Sequence, residues 1–241
     1  MNTNPSIAQS NDPVATSHGV MKRFGQVGLG LLLLATSLFL AAGRLDWGMA
    51  WAYIGLYVVN VLINALLILP KHPELIAERG ATKADAKQWD RLLSLLMTCT
   101  TFAMLIVAGL QIRFGWLPPI RLSLQLLALL IVVLGQSLFS WAMAANPFFS
   151  RTVRIQLDRG QTVVSGGPYQ YVRHPGYTGM ILASLTTPIM LGAWWALIPG
   201  GLTALLYVVR TAWEDRTLQE ELPGYMAYVQ HVPYRLCPGV W

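Results

Sequence analysis

The chain has 241 residues, of which 54% are hydrophobic and 12% charged, about half the charged share of soluble domains, so it is not typical of a soluble fold. Its net charge of +6 comes from basic residues spread over loops between apolar runs, which indicates a membrane topology rather than a nucleic-acid partner. Two cysteines, and four histidines without ligand spacing, predict neither a disulfide framework nor a metal site.

The first segment, residues 1–21, is polar and rich in serine, asparagine and threonine, a composition that predicts a disordered tail. Lys22 and Arg23 then precede an apolar run that ends in small residues, as in a signal peptide. The long polar lead and the further apolar runs favour instead an uncleaved first helix.

Six apolar runs are the dominant feature of the sequence, and spanning a bilayer takes about 20 apolar residues. They are Gln26–Ala42, Trp47–Leu69, Leu92–Ile112, Ser123–Ala145, Gly176–Leu191 and Trp194–Val209. The last two are short, and Gly192 leaves little room for a loop between them, which predicts a tight helical hairpin. We therefore expect an all-α integral membrane protein with about six transmembrane helices.

The distribution of lysine and arginine predicts how these spans are oriented. An N-terminus in the cytoplasm places fourteen of the basic residues on the cytoplasmic side and three, Arg44, Arg113 and Arg121, outside. Cytoplasmic loops retain basic residues, so this orientation is favoured. Both termini and any site on the loops between the later spans are therefore expected in the cytoplasm.

We divide the chain into the tail 1–21, a four-span scaffold 22–145 and a C-terminal module 146–241. Within the scaffold, Pro73 to Arg79 fits either a short amphipathic helix or a solvated linker. In the module, apolar residues alternate with polar ones over 153–158, which predicts a short strand. Residues 162–164 could pair back on this strand and form a small hairpin.

The module ends in a segment that is not a plain tail. The sixth run continues from residue 210 to 222 as a polar helix, which Pro223-Gly224 stops. Tyr225 and Tyr228 follow, and a disordered tail would not hold so many aromatic residues. We expect this cytoplasmic segment to pack on the module and help to form a pocket.

Residues 166–179 concentrate hydrogen-bonding groups where a polar loop meets the fifth apolar run. Pro175 biases His174 away from helix and suits the first turn of the next span. The amides at that helix start, together with Arg173, make a corner that favours anions. This pattern suggests a site rather than a connector.

A second polar group follows the sixth run, where Arg210 and Glu214 are four residues apart and share a helix face. The hairpin places the start of the fifth run beside the end of the sixth, so His174, Tyr177, Arg210 and Glu214 should converge. Ionisable groups near membrane depth favour a functional site. An ordinary exposed ion pair between Arg210 and Glu214 is the structural alternative. The residues alone predict a cytoplasm-facing polar pocket and name no reaction.

The sequence GPYQYVRHPGYTG at 167–179, followed by RTAWED at 210–215, resembles the isoprenylcysteine carboxyl methyltransferase family. The ending, 222–228 with 232–238, fits as well, and the resemblance covers about Gly160–Trp241. The same module is similar in phospholipid N-methyltransferases and, more distantly, in membrane sterol reductases.

The resemblance implies an integral membrane enzyme that moves a methyl group from S-adenosylmethionine to a lipophilic small molecule or lipidated peptide. An isoprenylcysteine-type carboxylate is the acceptor that the resemblance favours. A carboxylate needs no base, so Arg210 would position it, with Glu214 as the second catalytic residue. The resemblance also implies a set of cofactor-binding residues on the cytoplasmic side. They are Tyr169, Arg173, His174, Pro175, Tyr177, Glu220, Tyr225 and Tyr228.

Other functions stay open at this point. An amine or thiol acceptor would need a base, and Glu214 or His174 could serve. A membrane reductase could bind NADPH at the same place. A small transporter or scaffold would be expected to carry paired charges within its spans, whereas here the charges cluster at the ends and in the loops.

Overall fold

The computed structural model describes residues 13–80 and 86–241, and these residues form α-helices and two short 3-10 helices, without a β-strand. The α-helices, in chain order, are α1 (Pro13–Ala42), α2 (Gly48–Ile68), α3 (Pro73–Gly80), α4 (Gln88–Phe114), α5 (Leu122–Ala145), α6 (Pro175–Met190), α7 (Leu197–Glu221) and α8 (Tyr225–His231). The 3-10 helices are Leu157–Arg159 and Gly167–Gln170. The all-α prediction is therefore confirmed for the described residues.

Four helices, α1, α2, α4 and α5, are long and apolar enough to cross a bilayer. Large apolar side chains such as Leu40, Leu66 and Leu130 point outward from them and are exposed, as lipid-facing residues would be. The protein is therefore an integral membrane protein. Helix α6 has 16 residues, about 24 Å at 1.5 Å per residue, against a hydrocarbon core of about 30 Å. The count of six spans, the hairpin across the membrane and the orientation stay predictions.

Helix α1 begins earlier than the sequence indicates. It starts at Pro13, so the part of the expected disordered tail from residue 13 onward is helical, while residues 1–12 lie outside the described residues. The physical reason is tertiary packing: a Cβ atom on Gly19 would lie 2.7 Å from the Cβ atom of Ala77 on α3. The early part of α1 is thus held by contact with another helix, which its polar composition does not reveal.

The segment Pro73–Gly80 forms the short amphipathic helix α3, which confirms one of the two interpretations of this loop. Its apolar residues Leu75 and Ile76 are buried against Ile68 of α2 and Met143 of α5. The apolar side of α3 therefore packs on other helices, and α3 becomes part of the body of the protein.

The predicted strand over 153–158 is wrong. Backbone groups there bond to side chains and to distant backbone instead of a neighbouring strand. The N–H of Val153 donates to Asp90 Oδ2 at 2.9 Å, and its carbonyl accepts the N–H of Lys87 at 3.1 Å. The N–H of Gln156 donates to the Gln161 side chain at 2.7 Å. The alternation of apolar and polar residues thus occurs in a loop that hydrogen bonds hold against the start of α4.

Helix α6 lies between α5 and α7, and α7 also packs on α4. The contact of α5 with α6 is close because both helices carry glycine there: a Cβ atom on Gly135 would lie 2.7 Å from the carbonyl oxygen of Gly179. Small residues allow helix backbones to approach in this way. Helix α7 ends at Glu221, and Gly224 takes φ 83° in the turn to α8, as the Pro223-Gly224 stop predicts.

Candidate functional site

The start of α6 positions the first site residues. Pro175 is the first residue of the helix, and His174 before it is non-helical, with φ −128° and ψ 58°. The backbone N–H groups of Arg173 and His174 donate to the carbonyls of Tyr234 and Arg235, both at 2.9 Å. The chain end is thereby fixed against the start of α6.

Asp215 on α7 is fully buried and lies at the centre of a group of polar side chains, here called the Asp215 cluster. Its members besides Asp215 are Arg173, His174, Gln219, Tyr225 and Arg235. Oδ1 lies 2.8 Å from Arg173 Nε and 3.2 Å from His174 Nε2, and it accepts the Tyr225 hydroxyl at 3.0 Å. Oδ2 lies 3.0 Å from Arg173 Nη2, 2.8 Å from Arg235 Nε and 2.7 Å from Gln219 Nε2.

The apolar part of α7 ends at Val209, so Asp215 lies beyond it. Burial alone would raise the pKa of the Asp215 carboxyl, but hydrogen bonds from His174 and Arg173 hold that pKa well below its usual range. Arg173 also donates from Nη1 to the carbonyls of Val232 and Pro233, at 2.8 and 2.7 Å. Each guanidinium nitrogen of Arg173 thus has a protein partner. Arg173 therefore joins the start of α6 to α7 and to the segment around Val232 and Pro233. Its contact with a cofactor stays a prediction.

One turn away, Tyr177, Arg210 and Glu214 form a second group, here called the Tyr177 junction. The Tyr177 hydroxyl donates a short hydrogen bond to Glu214 Oε2. The Tyr177 ring stacks on the His174 ring, with 5.8 Å between centroids, and the guanidinium carbon of Arg210 lies 5.4 Å from the Tyr177 centroid. The four residues that the sequence predicts to converge are therefore in one place.

Arg210 is buried and its carboxylate partner is Asp90, so the alternative of an exposed Arg210–Glu214 pair is wrong. Arg210 Nη2 lies 2.9 Å from Asp90 Oδ1 and donates to the carbonyl of Arg151 at 2.7 Å. The other oxygen of Asp90 accepts the N–H of Val153. Arg210 Nε is buried without a hydrogen-bond partner among the described residues. Helix α4 thus orients one edge of the guanidinium and leaves donor capacity on the rest.

Both groups border one cavity of about 420 Å³. Of the predicted site residues, its lining includes Tyr169, Arg173, His174, Tyr177, Arg210, Glu214, Tyr225 and Tyr228. Helix α4 contributes Ser94, Met97, Thr98, Thr101 and Phe102 to the opposite wall. The cavity therefore joins a polar aromatic region to the side of a membrane helix.

Two predicted residues do not line the cavity. Pro175 is buried as the first residue of α6. Glu220 is exposed and forms an ion pair with Arg216, at 2.7 Å, on the outer face of α7. The structure thus gives Pro175 a role in starting the helix, and Glu220 no place at the site.

Three charged residues matter here that the sequence did not single out. Asp215 gives no signal of its own, because it is five residues from Arg210 and so lies on a different helix face from Arg210 and Glu214. Asp90 gives no local signal because a lone acid in the first turn of a helix is ordinary. Arg79 lines the cavity but looks like a basic residue of a cytoplasmic loop.

Comparison with known proteins adds the following. Residues 127–220 match the family model described as the isoprenylcysteine carboxyl methyltransferase family. Relatives named protein-S-isoprenylcysteine O-methyltransferase are similar: the one from Schizosaccharomyces pombe is 41% identical over 69 residues, 28% of this chain and 29% of the relative. The human relative is 31% identical over 121 residues, 46% of this chain and 40% of the relative, and the mouse relative 31% over 116 residues, 44% and 38%. The chain thus spans less than half the length of these relatives.

Proposed function

We propose that this protein is a membrane methyltransferase, because residues 127–220 match the family model described as the isoprenylcysteine carboxyl methyltransferase family. It uses S-adenosylmethionine and esterifies the carboxylate of a lipophilic acceptor of the isoprenylcysteine type. The observation that carries the proposal is the Tyr177 junction, where a buried arginine, whose Nε has no hydrogen-bond partner in the described part of the chain, adjoins a cavity that also reaches helix α4.

The lining residues fit the proposed cofactor. A volume of about 420 Å³ is within the range of about 300–1,000 Å³ that is usual for small-molecule sites. Tyr225, Tyr228 and His174 offer aromatic surface for a nucleoside and for a cation. Among the lining residues that the structure describes, Glu214 is the one carboxylate, and it supplies negative charge where a sulfonium or an amino group needs it. When bound, S-adenosylmethionine supplies a methyl group on sulfur that a carboxylate takes by direct displacement, with no proton to move.

Arg210 would position the acceptor. Asp90 fixes one edge of the guanidinium, and a carboxylate can accept hydrogen bonds from the remaining donors. Met97 and Phe102 on α4 give apolar surface in the same cavity for the lipophilic part of the acceptor. Holding two reactants in line and excluding water is the main contribution that such a transfer asks of the protein.

Tyr177 would keep Glu214 in place and away from Arg210. Its hydroxyl donates to Glu214 while its ring faces the Arg210 guanidinium. Glu214 then stays beside the cofactor, and the Arg210 donors stay available to the acceptor. A carboxylate acceptor requires no general base, so Glu214 acts through its charge.

The test uses the full chain purified in detergent. We expect saturable S-adenosylmethionine binding by calorimetry and transfer of labelled methyl to an N-acetyl-S-prenylcysteine. Arg210→Gln should lower kcat/KM by about 10²–10³-fold while cofactor affinity changes little, since Arg210 faces the acceptor. Arg216→Gln, on the exposed face of the same helix, is the matched control.

Two results would overturn the proposal. One is a folded wild-type protein that does not bind S-adenosylmethionine. The other is transfer to an amine or thiol analogue in preference to the carboxylate. The matched N-acetyl-S-prenylcysteine methyl ester is the control for the second case, because it keeps the lipid and has no free carboxylate. It should accept no methyl group if the carboxylate is the acceptor.

A further inference from the structure

Of the described residues, five arginines and one carboxylate line the cavity, and the arginines differ in how they are paired. Arg154 lies 2.9 Å from Glu78, Arg173 lies 2.8 Å from Asp215, and Arg210 lies 2.9 Å from Asp90. The remaining two, Arg79 and Arg151, have no acidic partner among residues 13–80 and 86–241. Within these ranges, the cavity wall therefore carries positive charge that no acidic side chain pairs with.

Arg79 is the more unusual of the two because it is nine-tenths buried. Its guanidinium donates to the carbonyl of Phe149 at 3.2 Å and lies over the rings of Phe149 and Phe139, at 5.4 and 5.8 Å. Burial and then the charges of nearby arginines lower the pKa of Arg79 to about 9. A buried cation without a counter-ion is costly, so an anion from outside would be stabilised there.

Two further arginines lie beside Arg79. Arg151 is exposed, and its Nη1 donates to Gln26 Oε1 at 3.2 Å, with the carbonyl of Arg79 at 3.5 Å. Arg23 on α1 is half-buried and packs on the end of α3, since a Cβ atom on Gly80 would lie 3.2 Å from the Arg23 Cβ atom. Two helices, α1 and α3, and the loop after α5 thus bring three arginines close together, and two of them, Arg79 and Arg151, line the cavity.

The surroundings define what kind of anion could reach this edge. The phenyl rings of Phe139 and Phe149 border it, and Met97 and Phe102 of a membrane helix line the same cavity. Arg23 precedes the apolar part of α1 by only a few residues, so the edge lies near the end of a span. The ligand should therefore combine an anionic group with an apolar body.

We propose that Arg79 and Arg151, with Arg23 beside them, form an anion subsite of the cavity that binds the oxyanion of a lipid-soluble molecule. Guanidinium groups bind carboxylate and phosphate oxygens by paired, charge-assisted hydrogen bonds, and either oxyanion meets these donors. A carboxylate would come from the methyl acceptor, and in that case the inference rests on the proposed function. A phosphate would come from a phospholipid of the surrounding bilayer.

Direct binding tests the subsite without requiring catalysis. The full chain in neutral detergent is titrated with dodecanoate and with dodecanol, which share a chain and differ in charge. We expect wild type to bind dodecanoate at least about 10-fold more tightly than dodecanol, and Arg79→Gln to remove the difference. Arg79→Lys keeps the charge and should retain part of it. Arg151→Gln changes an exposed side chain, so it reports on binding even if Arg79→Gln folds poorly. Arg216→Gln is the control.

Two further measurements identify the source of the oxyanion. A rise in KM for the prenylcysteine carboxylate in Arg79→Gln, with unchanged cofactor affinity, assigns the subsite to the acceptor. The second measurement compares binding to nanodiscs of phosphatidylglycerol and of phosphatidylcholine. If wild type prefers phosphatidylglycerol and Arg79→Gln loses this preference, the subsite is assigned to a phospholipid. Wild-type affinity for dodecanoate in both Arg79→Gln and Arg151→Gln would overturn the inference. The proposed function is judged separately, by labelled methyl transfer.

Discussion

The Asp215 cluster and the Tyr177 junction are neighbours on helix α7, yet they use their charged groups in opposite ways. Asp215 is fully buried, and both of its oxygens have partners from three parts of the chain. Glu214, the preceding residue, faces the cavity and accepts a hydrogen bond from Tyr177, and Arg210 Nε is buried with no partner within 13–80 and 86–241. Saturated charges hold segments together, whereas charges with unused capacity beside a cavity are available to a ligand.

The largest expected effect is on the saturated side. Asp215→Ala should destabilise the protein by about 3–5 kcal/mol, because it leaves Arg173 buried without its carboxylate. Thermal unfolding in detergent measures this, with Glu220→Gln as a control on the exposed face. A melting temperature for Asp215→Ala close to that of wild type would mean that the cluster does not hold the chain end.

Acid should weaken the same cluster. The folded-state pKa of Asp215 is depressed, so its contribution is present above the unfolded value of about 3.9 and is lost as the pH falls below it. Melting temperatures recorded from pH 7 to pH 3 should therefore drop on the acid side. Arg235→Gln removes a partner that is partly exposed, so the folded-state pKa of Asp215 should lie closer to the unfolded value and the total loss of stability on the acid side should be smaller. An unchanged acid limb in Arg235→Gln would contradict this assignment.

On the other side of the comparison, Asp90→Asn should affect activity more than stability. The amide oxygen can still accept the N–H of Val153, but the charge that orients Arg210 is removed. We expect kcat/KM for the carboxylate acceptor to fall by about 10²-fold, with cofactor affinity preserved, because a small misplacement of a positioning group is costly. Loss of cofactor binding in Asp90→Asn would show that Asp90 supports the whole site instead.

The smallest effect is expected from Tyr177→Phe. It removes one hydrogen bond to Glu214, worth about 1.5–3 kcal/mol to a charged group, and leaves the ring against His174 and Arg210. The fall in cofactor affinity should be a larger factor than the rise in KM for the acceptor, since Glu214 is placed on the cofactor side. Equal changes in both would indicate that the junction does not separate the two ligands.

From the sequence it is easier to predict which site residues converge than to predict which residues they pair with. Arg210 and Glu214 share a helix face by spacing alone, and the order of the last two apolar runs places them near His174. Asp90 could not be paired with Arg210, because 120 residues separate them and only the packing of α4 on α7 joins them. Long-range pairs of this kind leave no periodic signal.

The loops show the same limit. Pro73–Gly80 forms a helix because its apolar residues find a buried surface, which the sequence leaves undecided. The alternation near Val153 has the period of a strand, but the backbone there bonds to Asp90 and Lys87. The alternation of apolar and polar residues indicates which side chains are buried. It does not indicate which groups accept or donate the backbone hydrogen bonds.

The hydrogen bonds from Arg173 and His174 to Tyr234 and Arg235 have a consequence for how the protein is made. Residues 234 and 235 leave the ribosome after all four helices that qualify as membrane spans. The spans can therefore insert before Tyr225 and Tyr228 have completed the cavity lining, and contacts across about 60 residues then fix the segment that follows these tyrosines. Binding competence should therefore arise after these four helices have inserted into the membrane.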